Sequence, residues 1–153
     1  MQPQIQQSTI NFLKKEESER YKAYRDSCGK WTIGIGHLIN LTTEHALLTT
    51  TLTEQAVESL LRHDLQTTDY IINKYVKVSL TQSQYDAITS FIFNIGQGHF
   101  LSSTLLTKIN QNAPKQEIED EFMKWDKGVV NGVLTDITGL LNRRKAEASL
   151  YFS

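Results

Sequence analysis

Two acidic residues and a threonine near the N-terminus have the chemical types and the spacing that hydrolysis of an acetal requires. Glu17 is followed by eight residues and then Asp26, and Asp26 by five residues and then Thr32. Cleavage of a glycosidic bond needs one carboxyl group to protonate the leaving oxygen, and a second group to position water or stabilise the oxocarbenium-like centre. Because Glu17 lies in a helical pattern and Asp26 in a turn, we expect the two carboxyl groups to face each other across a cleft.

A simpler interpretation of the same acids is a solvated helix face. Glu17 belongs to the segment EESE, whose charge is typical of an exposed helix surface. On a helix predicted from about Thr9 to Lys22, however, Glu17 follows Leu13 by four residues and precedes Tyr21 by four. Together with Tyr24, these neighbours predict an apolar and aromatic environment, which favours the protonated carboxyl group that a general acid needs.

The pattern changes from helix to turn and strand after Tyr24. The residues from Asp26 to Lys30 predict a turn, and the β-branched and aromatic residues from Trp31 to Ile35 predict a strand. Gly34 and Gly36 interrupt this strand, which indicates a bend or a close approach of the backbone. We expect one small hairpin sheet here, and no other segment is a convincing strand.

The rest of the chain has helical periodicity. Apolar residues from Val57 to Tyr75 follow one stripe, which predicts a long helix that links two lobes. Thr81 and Gln84 form a capping box before the apolar segment YDAITSFIFNIG, and Gly96 is placed to end that helix. This helix is predicted to form the core of the larger lobe.

Three shorter helices complete the prediction. They run from Ser103 to Ile109, from Pro114 to Trp125 and from Leu140 to Phe152, with a loop or ragged hairpin between Lys127 and Gly139. The predicted fold class is therefore α+β and mostly helical. A small N-terminal β-hairpin lobe and a larger helical C-terminal lobe are joined by the long helix in one domain, residues 1–153.

The charge balance argues against a polyanionic partner. Sixteen basic and seventeen acidic residues leave a net charge of −1, so no strong global field attracts nucleic acid or an anionic membrane. Two basic clusters have two interpretations, a local basic surface or ordinary solvated helix faces. The clusters are Lys14, Lys15, Arg20, Lys22 and Arg25, and then Arg143, Arg144 and Lys145.

Targeting and redox features are few. The N-terminal segment has no uninterrupted apolar region and no basic residue before Lys14, so it does not resemble a signal peptide. No run of about 18 apolar residues predicts a membrane-spanning helix. The single cysteine, Cys28, excludes an internal disulfide. A lone turn cysteine is more often incidental than reactive.

The motifs resemble the active-site signature of the phage-type lysozymes, the family of T-even and lambdoid phage endolysins. In that family a glutamate, an aspartate or cysteine, and a threonine have the spacing of Glu17, Asp26 and Thr32, and a glycine-rich strand and histidine follow, as in TIGIGHL. Later family motifs are matched in order along essentially the whole chain. They are FNIG at residues 93–96, FLSSTLL at 100–106, EFMKW at 121–125 and GLLNRRKAE at 139–147.

The resemblance implies a lysozyme-like fold and a muramidase that hydrolyses the β-1,4 bond between N-acetylmuramic acid and N-acetylglucosamine. It implies that Glu17 is the general acid and that Asp26 and Thr32 position the attacking water, with an inverting outcome and no cofactor or metal. Four further residues are assigned to the substrate cleft: His37, Leu38, Phe93 and Ser103.

Each of these four residues also has a structural alternative. Leu38 and Phe93 are equally consistent with packing, and Ser103 with a helix cap. His37 titrates near neutrality and suits proton transfer, but we favour a structural histidine that pairs with an acid or fixes the first helix against the strand. The remaining histidines have no metal-ligand spacing and no HExxH motif is present, so a zinc amidase is not expected.

The chain departs from the family pattern in two places. Ser18 stands where the family often has glycine, and VVNGVLTDIT before Gly139 is longer than in some relatives. Neither departure touches Glu17, Asp26 or Thr32.

Two alternative functions stay open: an inactive wall-binding or scaffolding domain built on the same fold, and a transglycosylase that acts on the same bond without water and releases anhydro-sugars. The resemblance further implies a monomer that acts on peptidoglycan without nucleic acid or stable membrane insertion. It would be made in the host bacterial cytoplasm and reach the periplasmic cell wall through a holin-type pore.

Overall fold

The computed structural model describes residues 2–153 and contains two compact units. The first unit is Ile5–Gln66. The second comprises Thr67–Ser153 together with the N-terminal residues up to Gln4. The predicted organisation as one domain with two lobes stays a prediction.

The first unit consists of a helix, a three-stranded sheet and a short 3₁₀ helix. Helix α1 is Gln7–Glu16, and strands β1, β2 and β3 are Arg20–Arg25, Trp31–Gly34 and His37–Leu38. The strands pair antiparallel in the order β1-β2-β3, so the predicted hairpin is extended by one short strand. The 3₁₀ helix is His45–Leu48.

The first helix is shorter than predicted. It ends at Glu16, and Glu17 has an extended backbone with φ −109° and ψ 154°. The next residues form β1, in which Tyr24 lies opposite Thr32 of β2. Aromatic residues suit a strand as well as a helix, and pairing with β2 supplies the hydrogen bonds that favour the strand. The expectation that Tyr21 and Tyr24 share a helix face with Glu17 is therefore wrong.

Glycines make the two sharp turns of this sheet. Gly29 has φ +77° between β1 and β2, while Gly34 and Gly36 have φ +68° and +65° around the turn into β3. Residues other than glycine rarely adopt such φ values, so the bend predicted at Gly34 and Gly36 is confirmed. Between these glycines Ile33 and Ile35 are buried and anchor the sheet.

Helix α2, Glu54–Tyr75, confirms the predicted long helix and contributes residues to both units. Helix α3, Gln82–Ile95, begins at the predicted capping box: the Gln84 amide donates to the Thr81 hydroxyl, and the Gln84 side chain accepts from the Thr81 amide. Gly96, with φ +92°, ends this helix as predicted.

The second unit continues with short elements: α4 (Gln97–Leu101), α5 (Thr104–Asn110), α6 (Lys115–Met123), β4 (Lys127–Val130), β5 (Val133–Asp136) and α7 (Thr138–Tyr151). Strands β4 and β5 form a two-stranded antiparallel hairpin. Asn131 and Gly132 at its tip both have positive φ, as a tight hairpin turn requires. The hairpin alternative for this segment is confirmed, while the expectation of no further strand is wrong.

Helix α3 forms the core of the second unit, as predicted. The residues of α3 from Tyr85 to Ile92 are all buried. The Phe91 ring meets Phe122 and Trp125 edge-to-face, with ring centroids 5.4 and 6.0 Å apart. Burial of large aromatic side chains accounts for much of the stability of a core of this kind.

Candidate active site

Glu17 lies at the C-terminal end of α1. Its amide donates to the Leu13 carbonyl at 2.8 Å, which fixes the backbone where the chain leaves the helix. The last turn of α1 is held by Lys14, whose Nζ lies 2.7 Å from Glu58 Oε1 and 3.2 Å from Glu54 Oε1. The hydrogen bond with Glu58 raises the pKa of Lys14 above its usual range. Lys14 therefore belongs to an ion-pair network and is not a freely solvated charge.

Asp26 is oriented by its own turn. Its Oδ1 accepts hydrogen bonds from the amides of Cys28 at 2.9 Å and Lys30 at 2.8 Å. Its backbone amide donates to the Lys30 carbonyl, and the Gly29 amide donates to the Asp26 carbonyl, both at 2.9 Å. An aspartate that bonds its own backbone in this way stabilises a turn and holds its carboxylate in one orientation. Cys28, exposed and with a free thiol, serves this turn through its amide.

Thr32 lies next to this turn, on β2. It is buried, and its Oγ1 donates to the Lys30 carbonyl at 3.0 Å. That bond uses the hydroxyl hydrogen, so the oxygen keeps lone pairs that can accept a hydrogen bond. Glu17, Asp26 and Thr32 all belong to the first unit, although they come from a helix end, a turn and a strand.

His37 binds two carboxylates. Its Nδ1 lies 2.8 Å from Asp64 Oδ2 on α2, and its Nε2 lies 3.0 Å from Glu44 Oε1. The hydrogen bond with Asp64 is the main reason that the pKa of His37 is raised to about 9. This pairing with acids is the structural role that was given above as the alternative to a role of His37 in the substrate cleft. The sequence did not predict Glu44 and Asp64 as partners of His37, because contacts between residues so far apart in the chain leave no local pattern.

The other three candidate substrate residues differ in exposure. Leu38 lies on β3 with 52% of its surface exposed. Phe93 and Ser103 belong to the second unit, where Phe93 is half-buried on α3. Ser103 caps α5: its hydroxyl accepts from the Leu106 amide at 3.2 Å and donates to the Phe100 carbonyl at 2.6 Å. Their contact with substrate stays a prediction.

The second basic cluster is largely buried. Neither interpretation of this cluster, as a local basic surface or as a solvated helix face, is therefore correct. Arg143 and Arg144 are 6% and 0% exposed. Arg144 Nε lies 2.7 Å from Glu147 Oε1, and Ser90 Oγ donates to Glu147 Oε2 at 2.6 Å. The arginines precede Glu147 by four and three residues, a spacing that pairs side chains along a helix. That spacing was a visible signal in the sequence, but it did not indicate burial.

The part of the chain that the structure describes contains neither a group of side chains that could hold a metal ion nor a helix that could span a membrane. Among residues 2–153, no three histidine, cysteine, aspartate or glutamate side chains are grouped as metal ligands. None of the helices in the same range has both the length and the apolar character needed to cross a membrane.

Comparison with known proteins agrees with this architecture. The model of the phage lysozyme family matches residues 14–147. The endolysin of Acyrthosiphon pisum secondary endosymbiont phage 1 is 41% identical over 97% of this chain and 98% of its own length. The solved structure of a mutant of P22 lysozyme is 40% identical, with a TM-score of 0.85 over 99% of both chains. The SAR-endolysin of Bacteriophage PS119 is 37% identical over 86% of this chain and 73% of its own.

The chain therefore belongs to the phage lysozyme family, whose enzymes are glycoside hydrolases. The predicted family and the lysozyme-like, mostly helical fold are confirmed.

Proposed function

We propose that this chain is a muramidase endolysin that hydrolyses the β-1,4 bond between N-acetylmuramic acid and N-acetylglucosamine, with Glu17 as the general acid. Membership of the phage lysozyme family supports the activity on peptidoglycan. The observation that supports the roles of the residues is the fixed carboxylate of Asp26, held by two amides of its turn beside Thr32.

In this mechanism Glu17 protonates the glycosidic oxygen as the bond to the anomeric carbon breaks. Within residues 2–153, both hydrogen bonds to the Asp26 carboxylate fall on Oδ1, so Oδ2 is available to a water molecule. That water donates one hydrogen to Asp26 Oδ2 and the other to Thr32 Oγ1, while its lone pair attacks the anomeric carbon. Asp26 takes up the proton that the water loses, and Glu17 is left ionised. Attack on the face opposite the leaving group inverts the configuration.

The test of this assignment is the variant Glu17→Gln, which keeps the size of the side chain and removes its acidic proton. We expect release of reducing ends from purified peptidoglycan to fall by at least about 100-fold, because general acid catalysis contributes roughly 10²–10⁴-fold. Glu16→Gln, one residue earlier at the end of α1, is the matched control and should keep full activity. Full activity of a folded Glu17→Gln variant would refute the proposal.

The inverting outcome has a separate test. The anomer formed first should be opposite in configuration to the bond cleaved, as nuclear magnetic resonance of a fresh digest would show. Asp26→Asn should lose activity too, because its amide cannot take up the proton. Retention of configuration would overturn the role of Asp26 as the residue that positions water.

Product analysis of the wild-type digest also separates this function from its two alternatives. A hydrolase gives new reducing ends, a transglycosylase gives anhydro-sugars, and a wall-binding or scaffolding domain binds peptidoglycan and gives neither product.

The cellular route is part of the same proposal. We expect a monomer that is made in the host cytoplasm and reaches the cell wall through a holin-type pore, and the SAR-endolysin relatives support release towards the wall. Expression with and without a holin in a bacterial host tests the route. Lysis at the same time in both cultures would show that no pore is needed.

A further inference from the structure

A pocket of 460 Å³ in the first unit lies beside the turn that carries Asp26. Its lining combines two cationic side chains, one indole ring and three aliphatic side chains: Arg25, Lys30, Trp31, Leu38, Ile39 and Leu41. Four of these residues belong to the sheet or to the turn between β1 and β2. The pocket is therefore built on the same hairpin that presents the candidate catalytic residues Asp26 and Thr32.

The guanidinium of Arg25 is held in place within this pocket. Arg25 lies directly opposite Trp31 in the pairing of β1 with β2, and its Cζ is 4.6 Å from the centroid of the Trp31 ring. Its Nη1 also donates to the Gly29 carbonyl at 3.1 Å. These contacts fix the plane of the guanidinium and leave N–H groups on its edge. Such an arrangement loses little side-chain entropy when it binds a planar anion.

The positive charge of the pocket is not neutralised by the protein. Within residues 2–153 neither Arg25 nor Lys30 forms an ion pair. The neighbouring acid, Asp26, directs Oδ1 to the amides of its own turn. Two exposed cations beside an indole ring therefore attract an anion that also has apolar parts.

We propose that this pocket binds the carboxylates of the peptide stems that branch from the glycan strand. The inference rests on the proposed function, because it takes the ligand to be part of the same substrate. A carboxylate matches the edge of the Arg25 guanidinium in a bidentate pair, and the aliphatic parts of a stem peptide suit Leu38 and Leu41. Leu38 pairs with Thr32 in the sheet, so the pocket extends to a direct neighbour of a candidate catalytic residue.

The test measures binding in the Glu17→Gln background, in which the ligand is not hydrolysed. Calorimetry compares soluble glycan oligomers with their peptide stems against the same oligomers after an amidase has removed the stems. We expect Arg25→Gln with Lys30→Gln to raise the Kd for stem-bearing oligomers by about 3- to 10-fold and to remove the difference between the two ligands. The matched control is Lys15→Gln with Lys145→Gln, which changes the net charge equally at exposed positions outside the pocket.

Three results would overturn the inference. One is an unchanged Kd for stem-bearing oligomers in a variant whose circular dichroism matches the parent. Another is an equal loss for both ligands, and the third is tighter binding of a phosphate-rich wall polymer than of stem peptides. Failure of the proposed function looks different, because the wild-type chain would then release no reducing ends from peptidoglycan, or the Glu17→Gln variant would release as many as the wild type.

Discussion

His37 Nδ1 lies 2.8 Å from Asp64 Oδ2, which ties the short strand β3 to helix α2 within the first unit. The same ring binds Glu44 through Nε2, so the protonated imidazole lies between two carboxylates. A histidine held in this way is stabilised in its charged form, so protonation of His37 contributes to the free energy of unfolding.

Stability should therefore fall in mildly alkaline solution. The pKa of His37 is raised from 6.5 to about 9, so its contribution is fully present below pH 6.5 and is lost as the pH rises through about 9. After allowance for solvent screening, we expect this contribution to be on the order of 2 kcal/mol. Urea denaturation at pH 6 and pH 9.5 would measure it. His37→Asn should remove most of the pH dependence over this range, and an undiminished dependence in that variant would contradict the prediction.

The buried pair of Arg144 and Glu147 predicts a large loss of stability when one partner is neutralised. Both side chains are fully buried, and Glu147 also accepts a hydrogen bond from Ser90. We expect Glu147→Gln to lower the free energy of unfolding by about 3–5 kcal/mol, because it leaves arginine charge buried without its counter-ion. Thermal and urea denaturation would detect this. Lys145→Gln, an exposed neighbour on α7, is the control and should change stability by less than about 0.5 kcal/mol.

Ser103 can be tested as a helix cap and as a substrate residue in one comparison. Its hydroxyl accepts from the Leu106 amide, just as Thr81 accepts from the Gln84 amide at the start of α3. We expect Ser103→Ala and Thr81→Ala each to cost about 1 kcal/mol of stability. A rise in KM for peptidoglycan in Ser103→Ala alone would add contact with substrate to its role as a cap. No loss of stability in either variant would contradict the capping assignment.

Leu38 offers the opposite case, a side chain that contributes more to binding than to folding. With 52% of its surface exposed, Leu38→Ala should change stability by less than about 0.5 kcal/mol. If it contacts the glycan, KM should rise by about 3-fold or more, since a buried CH₂ contributes roughly 0.8 kcal/mol. Leu134→Ala, 65% exposed on β5, is the matched control and should leave KM unchanged. Equal KM values for both variants would remove Leu38 from the predicted cleft.

The sequence by itself determined the features that depend on neighbouring residues. The capping box of Thr81 and Gln84, the helix stop at Gly96 and the cap at Ser103 each follow from contacts within a few positions. The same locality explains why the long helix α2 was predictable, since one apolar stripe defines it. The spacing of Glu17 and Asp26 is likewise a property of the chain itself and does not depend on how the elements pack.

Only the tertiary structure decided which residues meet across long separations. Pairing with β2 placed Tyr21 and Tyr24 on a strand instead of the first helix, although local propensity permits both. Asp64 reached His37 because folding brings together charges that no local pattern connects. The spacing of Arg144 and Glu147 is local, but the packing of α7 against α3 decided that this pair is buried. Short-range hydrogen bonds can be inferred from the order of residues, whereas the burial of a charge and its contacts with distant residues depend on how the elements pack.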